Sequence, residues 1–525
     1  MEALFQSTVT ALLGFIGATV LLLYWYSTST FDYWKKTGVK SLKPLPLFGN
    51  IQHFILHKRS PAEVFQELYN KFEGERYGGI HQARTPVLLI RDPELIKHIL
   101  VKDFCYFPGK GNHPDLKGDP LSYHLFNLEG EQWKYIRTKL TPAFTPGKLK
   151  IVYQHIDHYS EKLIEHLQKY AKNNEILDMY DILVNFTMDA TSSCAFGVEA
   201  NAMDDKDSEF KKMGRSIIHA NGSTFIDILE SISPNLLKIF RIRTFSRDVT
   251  SFFKMVIKKI MEYRDQSHVI KKDVMNLLML ARNKTTEEDS NKEEPQACKQ
   301  MSNETSSNIR DEGFDDVVLT AQAAMFLRAG SEKASTIMSF CLNELALQPE
   351  LQSELRAEIE AAKEEHGGKL TYEIVLGLKL LDRVVSESLR KYPLEANIFR
   401  VCGKPYKIPG SSVQLQEGTK VLIPVYAIHH DPKYYPDPEK FDPNRFTDIS
   451  KSSRQQFTYL PFGEGPRICI GFRYGMLQVK VGLAALLLHY EFRACPMTKA
   501  RPEFNTCSWI TSPANGMWLK IHLRK

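Results

Sequence analysis

The sequence has few cysteines and pairs none of them in a CxxC motif: eight are scattered over 525 residues. This pattern excludes a disulfide-dense scaffold and a zinc site built from paired cysteines, and it is typical of reduced thiols in a reducing compartment. The chain also lacks an excess of either charge, since 68 Lys and Arg residues against 62 Asp and Glu residues leave a net charge of +6. Such a small excess is too weak for a nucleic-acid-binding surface, so we expect no nucleic-acid partner.

The N-terminal segment is a hydrophobic run without charge, "VTALLGFIGATVLLLYWY" over residues 9–26. At about 1.5 Å per residue, a helix of this length nearly crosses a hydrocarbon core of about 30 Å. Only Glu2 precedes the run as a charged residue. Basic residues follow it: Lys35, Lys36, Lys40 and Lys43. This bias predicts a single-pass anchor over residues 1–27 with the bulk of the chain in the cytosol. The alternative, a cleaved signal peptide, would need a basic leading region and a small-residue cleavage site, and both are missing.

The rest of the chain divides by composition. Residues 28–50 contain basic side chains and the stretch "LKPLPLFGN", which predicts a proline-stiffened tether. From residue 51 to residue 525, long helical patterns dominate and β-rich runs are short and few, so we predict one large, mainly α domain with small sheets. Within it, residues 283–312 are acidic, polar and almost free of large apolar residues, which predicts a disordered surface loop.

One stretch concentrates glycine around a single thiol: "PFGEGPRICIGFRYG", residues 461–475. Cys469 can act there as a single ligand or a single nucleophile. Haem supplies four nitrogens of its own and needs only one protein thiolate, which backbone N–H groups and a following helix N-terminus would keep ionised. Glycines would let the chain approach the porphyrin closely, and Arg467 would meet a propionate. The alternative is a buried structural cysteine in a turn.

Further motifs in the same chain argue against that alternative. The pattern F-x-x-G-x-R-x-C-x-G, from Phe462 to Gly471, resembles the haem-binding loop of the cytochrome P450 family. "ESLR" (387–390) is similar to the ExxR helix of that family, and "FDPNRF" (441–446) to the segment that locks onto it. "WKYIR" (133–137) is similar to the WxxxR helix. The resemblance covers essentially the whole chain and is closest to microsomal members of the xenobiotic-metabolising type in insects and vertebrates.

The resemblance implies a mainly α P450 fold with small β-sheets and one N-terminal transmembrane helix. It also implies haem b with Cys469 as the iron ligand. The residues implied to hold the haem group are Trp133, Arg137, Arg400, Phe462, Arg467 and Gly471. The residues implied to form a charge network behind it are Glu387, Arg390 and Arg445. The residues implied to form the substrate pocket are Phe107, Leu125, Phe126 and Ala329, with the turn 508–517 closing it.

The central helix departs from the family pattern. "AQAAMFLRAGSEKAST" (321–336) has Lys333 where the family has a threonine that helps deliver protons to dioxygen. Three interpretations remain open. Lys333 pairs with an acid or reaches water, while Ser335 or Thr336 serves the relay. Its ammonium binds an anionic substrate group. Or burial lowers its pKa, so that the amine serves as a proton donor or ligates the iron.

The neighbouring charges on this helix have a simpler interpretation. Arg328 and Glu332 stand four residues apart, which predicts an ordinary helical ion pair. The catalytic candidates on the helix are Glu332, Lys333, Ser335 and Thr336.

The function implied is a monooxygenase of the endoplasmic reticulum membrane that acts on a lipophilic small molecule. Its electrons would come from NADPH through NADPH-cytochrome P450 reductase, with cytochrome b5 as a further partner. Because Lys333 replaces the usual threonine, two alternatives are kept. One is a reductase-independent enzyme that rearranges a pre-oxidised substrate, and the other is a haem-bearing binding protein without turnover.

Overall fold

The computed structural model describes residues 1–205, 207–218, 242–267, 271, 273–283 and 315–524. Within these residues the chain is mainly helical, and its strands form three small sheets. The predicted fold class is therefore confirmed. The loop predicted over residues 283–312 lies outside the described residues, except for residue 283 itself.

The described elements are numbered in chain order. The helices are α1 (Glu2–Thr28), α2 (Tyr33–Lys36), α3 (Gln52–Ile55), α4 (Pro61–Asn70), α5 (Pro93–Lys97), α6 (Gly130–Leu140), α7 (Pro146–Lys172), α8 (Met179–Phe196), α9 (Glu209–Ile218), α10 (Arg247–Ser267), α11 (Val274–Asn283), α12 (Asp316–Leu347), α13 (Pro349–Glu365), α14 (Tyr372–Gly377), α15 (Lys379–Lys391), α16 (Val425–His429), α17 (Asp448–Ser453) and α18 (Phe472–His489). The strands are β1 (Tyr77–Gln82), β2 (Thr85–Ile90), β3 (Ile176–Asp178), β4 (Ile398–Val401), β5 (Tyr406–Lys407), β6 (Gln414–Leu415), β7 (Lys420–Ile423), β8 (Tyr490–Arg493) and β9 (Trp518–Leu523).

The apolar window of helix α1 joins none of the buried clusters of the described residues. Among the described residues, one span is long and apolar enough to cross a membrane by length and composition, Leu4–Lys36, and none of its apolar window is buried. A helix that exposes apolar side chains on every face needs an apolar surrounding, which a bilayer would provide.

Helix α12 runs through the middle of the fold. Its N-terminus is capped by Asp315, whose carboxylate accepts the backbone N–H groups of Val317 and Val318 at 3.0 and 2.8 Å. Apolar residues cover all sides of the helix, and such a helix is stable only when it is surrounded by other elements. The largest cluster of buried side chains accordingly joins α12 to α7, α8, α15 and α18.

The four-stranded sheet, in the order β1-β2-β7-β4, forms a second layer beside these helices. Strand β4 pairs antiparallel with β7, so that Arg400 lies opposite Val421. Alternating burial along β4 leaves Ile398 and Arg400 on the buried face. This register brings an arginine into the interior, where a charge needs a partner.

Six cysteines of the described residues carry free thiols: Cys194, Cys341, Cys402, Cys469, Cys495 and Cys507. Cys105 is disulfide-bonded, so the expectation that every thiol is reduced is wrong at this position.

Candidate active site

One internal cavity of about 540 Å³ brings together residues that are distant in sequence. It lies between α12, the loop that contains Cys469, the start of β4 and α6. The predicted site residues that line it are Leu125, Phe126, Trp133, Arg137, Ala329, Lys333, Arg400, Phe462, Arg467, Cys469 and Gly471. Of the predicted pocket and catalytic residues, four do not line it: Phe107, Glu332, Ser335 and Thr336.

The loop around Cys469 has a backbone that demands glycine. Gly463 and Gly465 have φ angles of +73° and +74°, a region that favours glycine. A Cβ at Gly465 would lie 1.9 Å from the carbonyl oxygen of Leu100, so no other residue fits there. The Cys469 N–H donates to the carbonyl of Phe462 at 3.0 Å and closes the loop. As a result, Cys469 stands on the cavity wall just before α18 begins.

A thiol in this position is suited to be a single metal ligand. In the described part of the chain, no group of three or more His, Cys, Asp and Glu side chains could hold a metal ion by itself. A metal bound by Cys469 would therefore need its other ligands from a cofactor. Helix α18 begins three residues later, and the positive end of its dipole lies at the loop that carries Cys469.

Buried arginines surround the same cavity without enough acids to balance them. Burial and, to a smaller extent, the charge of Arg467 together lower the pKa of Arg400 to about 9. Burial likewise lowers the pKa of Arg467 to about 10, although Glu129 opposes this effect. The Nε atoms of Arg400 and Arg467 are buried and have no hydrogen-bond partner in the described structure. These orphaned donors, together with Arg137 on the same wall, fit an anionic ligand such as the two propionates of haem b.

The positions of two of these side chains are fixed by neighbours. Arg467 donates to the carbonyl of Leu128 at 2.8 Å, and its guanidinium lies 4.4 Å from the ring centroid of Trp133. Arg400 donates to the carbonyl of Phe399 at 2.8 Å. Because these contacts use only part of each guanidinium, the remaining donors stay available to a ligand.

Lys110 is a cationic wall residue that the sequence did not reveal. Its Nζ lies 3.2 Å from the ring centroid of Phe126, and burial followed by the charge of Arg400 lowers its pKa well below the usual range. The carboxylate of Glu129 accepts the backbone N–H groups of Lys110 and Gly111, both at 2.7 Å, and so fixes this segment. In the sequence, a lysine between two glycines looks like any surface turn.

The predicted charge network lies behind the Cys469 loop. Arg390 donates twice to Glu387, at 2.7 and 2.9 Å, and both side chains are fully buried. Arg445 approaches the same carboxylate at 3.5 Å, and the backbone N–H of Asp442 donates to it at 2.9 Å. The structure therefore joins the three residues that the resemblance grouped together.

His429 connects this network to the loop, and sequence reasoning missed it. Its carbonyl accepts Arg390 Nη1 at 2.9 Å, and its Nδ1 lies 3.1 Å from the carbonyl of Arg390. The N–H of Leu460, just before the loop, donates to its Nε2 at 2.9 Å. Nε2 is therefore the acceptor nitrogen, and Nδ1 carries the proton. The sequence showed only two adjacent histidines in a turn.

The apolar part of the cavity is formed by residues from several elements. Leu125, Phe126 and Ala329 line it as predicted, and Trp509 lines it from the turn 508–517. Phe107 was wrongly placed in the pocket. It is buried in the cluster around the four-stranded sheet, where its ring packs edge-on against Tyr406 at 4.9 Å.

Lys333 lies on the cavity wall and is paired with an acid. Its Nζ is 2.5 Å from Oε1 of Glu395, which also lines the cavity. Burial alone would lower the pKa of Lys333, but Glu395, with smaller contributions from the charges of Cys469 and Glu332, raises it above its ordinary value. Burial would raise the pKa of Glu395, but Lys333 outweighs it, so that this pKa is lowered. Of the three interpretations, pairing with an acid is the one observed, and the predicted fall in the lysine pKa is wrong.

The other catalytic candidates on α12 point away from the cavity. The hydroxyl of Ser335 donates to the backbone carbonyls of Ser331 and Glu332. The hydroxyl of Thr336 donates to the backbone carbonyl of Glu332 at 2.7 Å. Both are buried within the helix packing, which gives no support to a relay role. Burial raises the pKa of Glu332 to about 7, although Arg328, 3.7 Å away as predicted for an i,i+4 pair, opposes this effect.

Comparison with known proteins places this site in a family. The family model described as Cytochrome P450 matches residues 39–519. Cytochrome P450 6k1 of Blattella germanica is 36% identical over 96% of this chain and 95% of its own length. Cytochrome P450 9e2 of the same insect is 36% identical over 97% of both chains. Probable cytochrome P450 6a14 of Drosophila melanogaster is 36% identical over 97% of this chain and 99% of its own length. The chain therefore belongs to the cytochrome P450 family of haem monooxygenases.

Proposed function

We propose that this protein is a haem-thiolate monooxygenase that inserts one oxygen atom from O₂ into a lipophilic substrate, with Cys469 as the iron ligand. The observation that supports this assignment best is the convergence on one cavity of three features. These features are a lone thiol before a helix N-terminus, buried arginines with unused donors, and an apolar wall.

Each wall has its own part in holding the cofactor. Cys469 would bind the iron as a thiolate, and the haem propionates would accept hydrogen bonds from Arg137, Arg400 and Arg467. Trp133 would add contact area beside Arg467. When bound, haem supplies the activation of dioxygen, in which two electrons and two protons lead to one inserted oxygen atom and one water molecule.

The substrate class follows from the apolar part of the cavity wall. The side chains of Leu125, Phe126, Phe326, Phe399 and Trp509 offer apolar and aromatic surface. Such surface excludes water and holds a lipophilic molecule mainly by burial of its apolar area, with few directional contacts.

The electrons and the location follow from surfaces outside the cavity. Electrons would come from NADPH through NADPH-cytochrome P450 reductase, with cytochrome b5 as an additional partner. Exposed basic residues such as Lys134 and Arg473, near the elements that carry Trp133 and Cys469, would attract an acidic partner. Helix α1 would anchor the protein in the endoplasmic reticulum membrane, with the catalytic domain on the cytosolic side.

A carbon monoxide difference spectrum of the reduced full-length protein tests the iron ligand. The parent protein should give the band of a thiolate-ligated haem, and Cys469→Ala should lose it. Cys507→Ala, which removes an exposed thiol that does not line the cavity, is the matched control and should keep the band. A thiolate band in Cys469→Ala would refute the assignment. NADPH consumption that depends on added reductase tests the reaction class.

A second candidate function is supported by the composition of α12. None of its described cavity-lining residues carries a hydroxyl, and Lys333 is one of them. An enzyme that rearranges a pre-oxidised substrate, such as a lipid hydroperoxide, needs neither reductase nor an external proton relay. Product from a hydroperoxide in the absence of NADPH would favour this candidate, whereas haem binding without any product would favour a binding protein.

A further inference from the structure

Two opposite charges from separate parts of the chain meet at the cavity wall. Lys333 belongs to α12, and Glu395 lies in the connection between α15 and β4. Their side chains are 26% and 32% accessible, and because both line the cavity, this accessible surface faces the same space as Cys469. The charge of Cys469 also acts on the pKa of Lys333, so the amine and the thiol lie within electrostatic reach of each other.

Glu395 is anchored on both sides by backbone hydrogen bonds. The carbonyl of Leu394 accepts the N–H of Thr511 at 2.9 Å, and that of Ala396 accepts the N–H of Tyr426 at 3.0 Å. Glu395 itself forms a β-bridge with Ile510. The carboxylate is therefore carried by a rigid segment, whereas Lys333 extends a flexible four-carbon side chain towards it.

The other charged groups near Lys333 cannot replace Glu395. Glu332 is its neighbour in sequence, but that carboxylate lies 3.7 Å from Arg328 and does not line the cavity. Lys110, which also lines the cavity, is a base and cannot serve as the counter-ion of Lys333. Without Glu395, burial, which is the largest influence on the pKa of Lys333, would favour the neutral amine, although the charges of Cys469 and Glu332 oppose it. A neutral amine is a nitrogen ligand for iron, whereas an ammonium group has no lone pair to donate.

We propose that Glu395 is a positioning residue whose carboxylate holds the Lys333 ammonium against the cavity wall and so prevents this amine from ligating the haem iron. The inference rests on the proposed haem-thiolate function. It gives a role to an acid that the reaction itself does not require, and it explains how a lysine is accommodated on the wall of the cavity that would hold the cofactor.

The test is the resting ferric absorption spectrum of the haem-loaded, full-length Glu395→Gln variant. Glutamine keeps the size of the side chain and removes its charge. We expect nitrogen ligation to change from a minor to the major form, seen as a red shift of the Soret band that increases with pH. The double variant Glu395→Gln/Lys333→Met should return the band to its parental position, because no amine remains. Glu503→Gln, which removes an exposed carboxylate that pairs with Lys499 and does not line the cavity, is the matched control and should show no shift.

The outcomes separate the inference from the proposed function. A parental protein without the thiolate band in its carbon monoxide spectrum would refute the proposed function. A normal thiolate band together with an unshifted Glu395→Gln spectrum at every pH would refute this inference alone. A shift that persists in the double variant would also refute it, since another ligand would be responsible.

If Glu395→Gln does not bind haem, Glu395→Ala is measured in the same way. If both variants fail to bind haem, Glu395 is a structural residue and the proposal is wrong.

Discussion

The two sides of the cavity hold their charges differently. Behind Cys469, Arg390 contacts Glu387 through two nitrogens and also donates to the carbonyls of His429 and Lys440, at 2.9 and 3.4 Å. On the α12 side, Lys333 makes one hydrogen-bonded contact in the described structure, with Glu395. A charge that is satisfied by several backbone groups cannot change partner without unfolding its surroundings. A pair joined by one contact at an open cavity can separate, so chemistry and specificity can vary on that side while the scaffold stays fixed.

The largest effect should come from breaking the fixed side. Glu387→Ala would leave the buried Arg390 guanidinium without its carboxylate, which typically costs about 3–5 kcal/mol in the free energy of unfolding. We expect loss of most haem incorporation, measured by the carbon monoxide spectrum, and a lower urea midpoint. Glu503→Ala, at an exposed pair with Lys499, is the control and should change neither quantity noticeably. A stable, haem-loaded Glu387→Ala protein would show that the two sides do not differ in this way.

A pH-dependent effect should appear on the α12 side. The folded-state pKa of Glu332 is about 7, above its ordinary value of 4.5. Between these pH values the folded chain binds more protons than the unfolded chain, so this carboxyl destabilises the protein as the pH rises. Glu332→Gln lacks this titration. Its free energy of unfolding relative to the parent should therefore increase from pH 4.5 to pH 8, by about 3 kcal/mol at most.

Urea unfolding of both proteins at several pH values measures this difference. Glu503→Gln serves as the control, since the pKa of that exposed carboxyl is lowered by Lys499 and its removal should give no such increase. A constant difference between Glu332→Gln and the parent across this range would mean that Glu332 is not held in an unfavourable environment.

The connection between the network and the Cys469 loop should give the next effect. His429→Leu keeps the volume of the side chain but leaves the N–H of Leu460 and the carbonyl of Arg390 without partners. Each buried group left unsatisfied costs about 1–3 kcal/mol. We expect a lower free energy of unfolding and faster loss of haem at raised temperature, followed by the Soret absorbance. His430→Phe is the matched control because, in the part of the chain that the structure describes, the ring of His430 bonds to the carbonyl of Tyr426 in the same helix turn. Equal losses in the two variants would argue against a specific connection.

The same contrast explains which parts of the site the sequence could predict. Glu387 and Arg390 are three residues apart on one helix, and the Cys469 loop depends on glycines that lie close together in sequence. The ion pair and the loop could therefore be predicted from short stretches of sequence. Glu395 meets Lys333 across 62 residues, and nothing in a Pro-Leu-Glu-Ala stretch marks it as the partner of a distant lysine. Phe107 was misplaced for the same reason, since an apolar side chain does not indicate which of two neighbouring cores it joins.

The smallest effect should come from replacing the lysine itself. Lys333→Thr would place a hydroxyl on the cavity wall. We expect the ratio of product to NADPH to rise by a factor of about two to five and the ratio of hydrogen peroxide to NADPH to fall. A factor of this size corresponds to less than about 1 kcal/mol in activation free energy.

The single change also leaves Glu395 without its cation. Lys333→Thr/Glu395→Gln should therefore give the larger gain in coupling, with the haem content unchanged because the Cys469 side is not altered. NADPH, peroxide and product are measured together in the reconstituted system. Equal coupling in the parent and both variants would mean that the ion pair takes no part in proton delivery, and that ordered water supplies the protons.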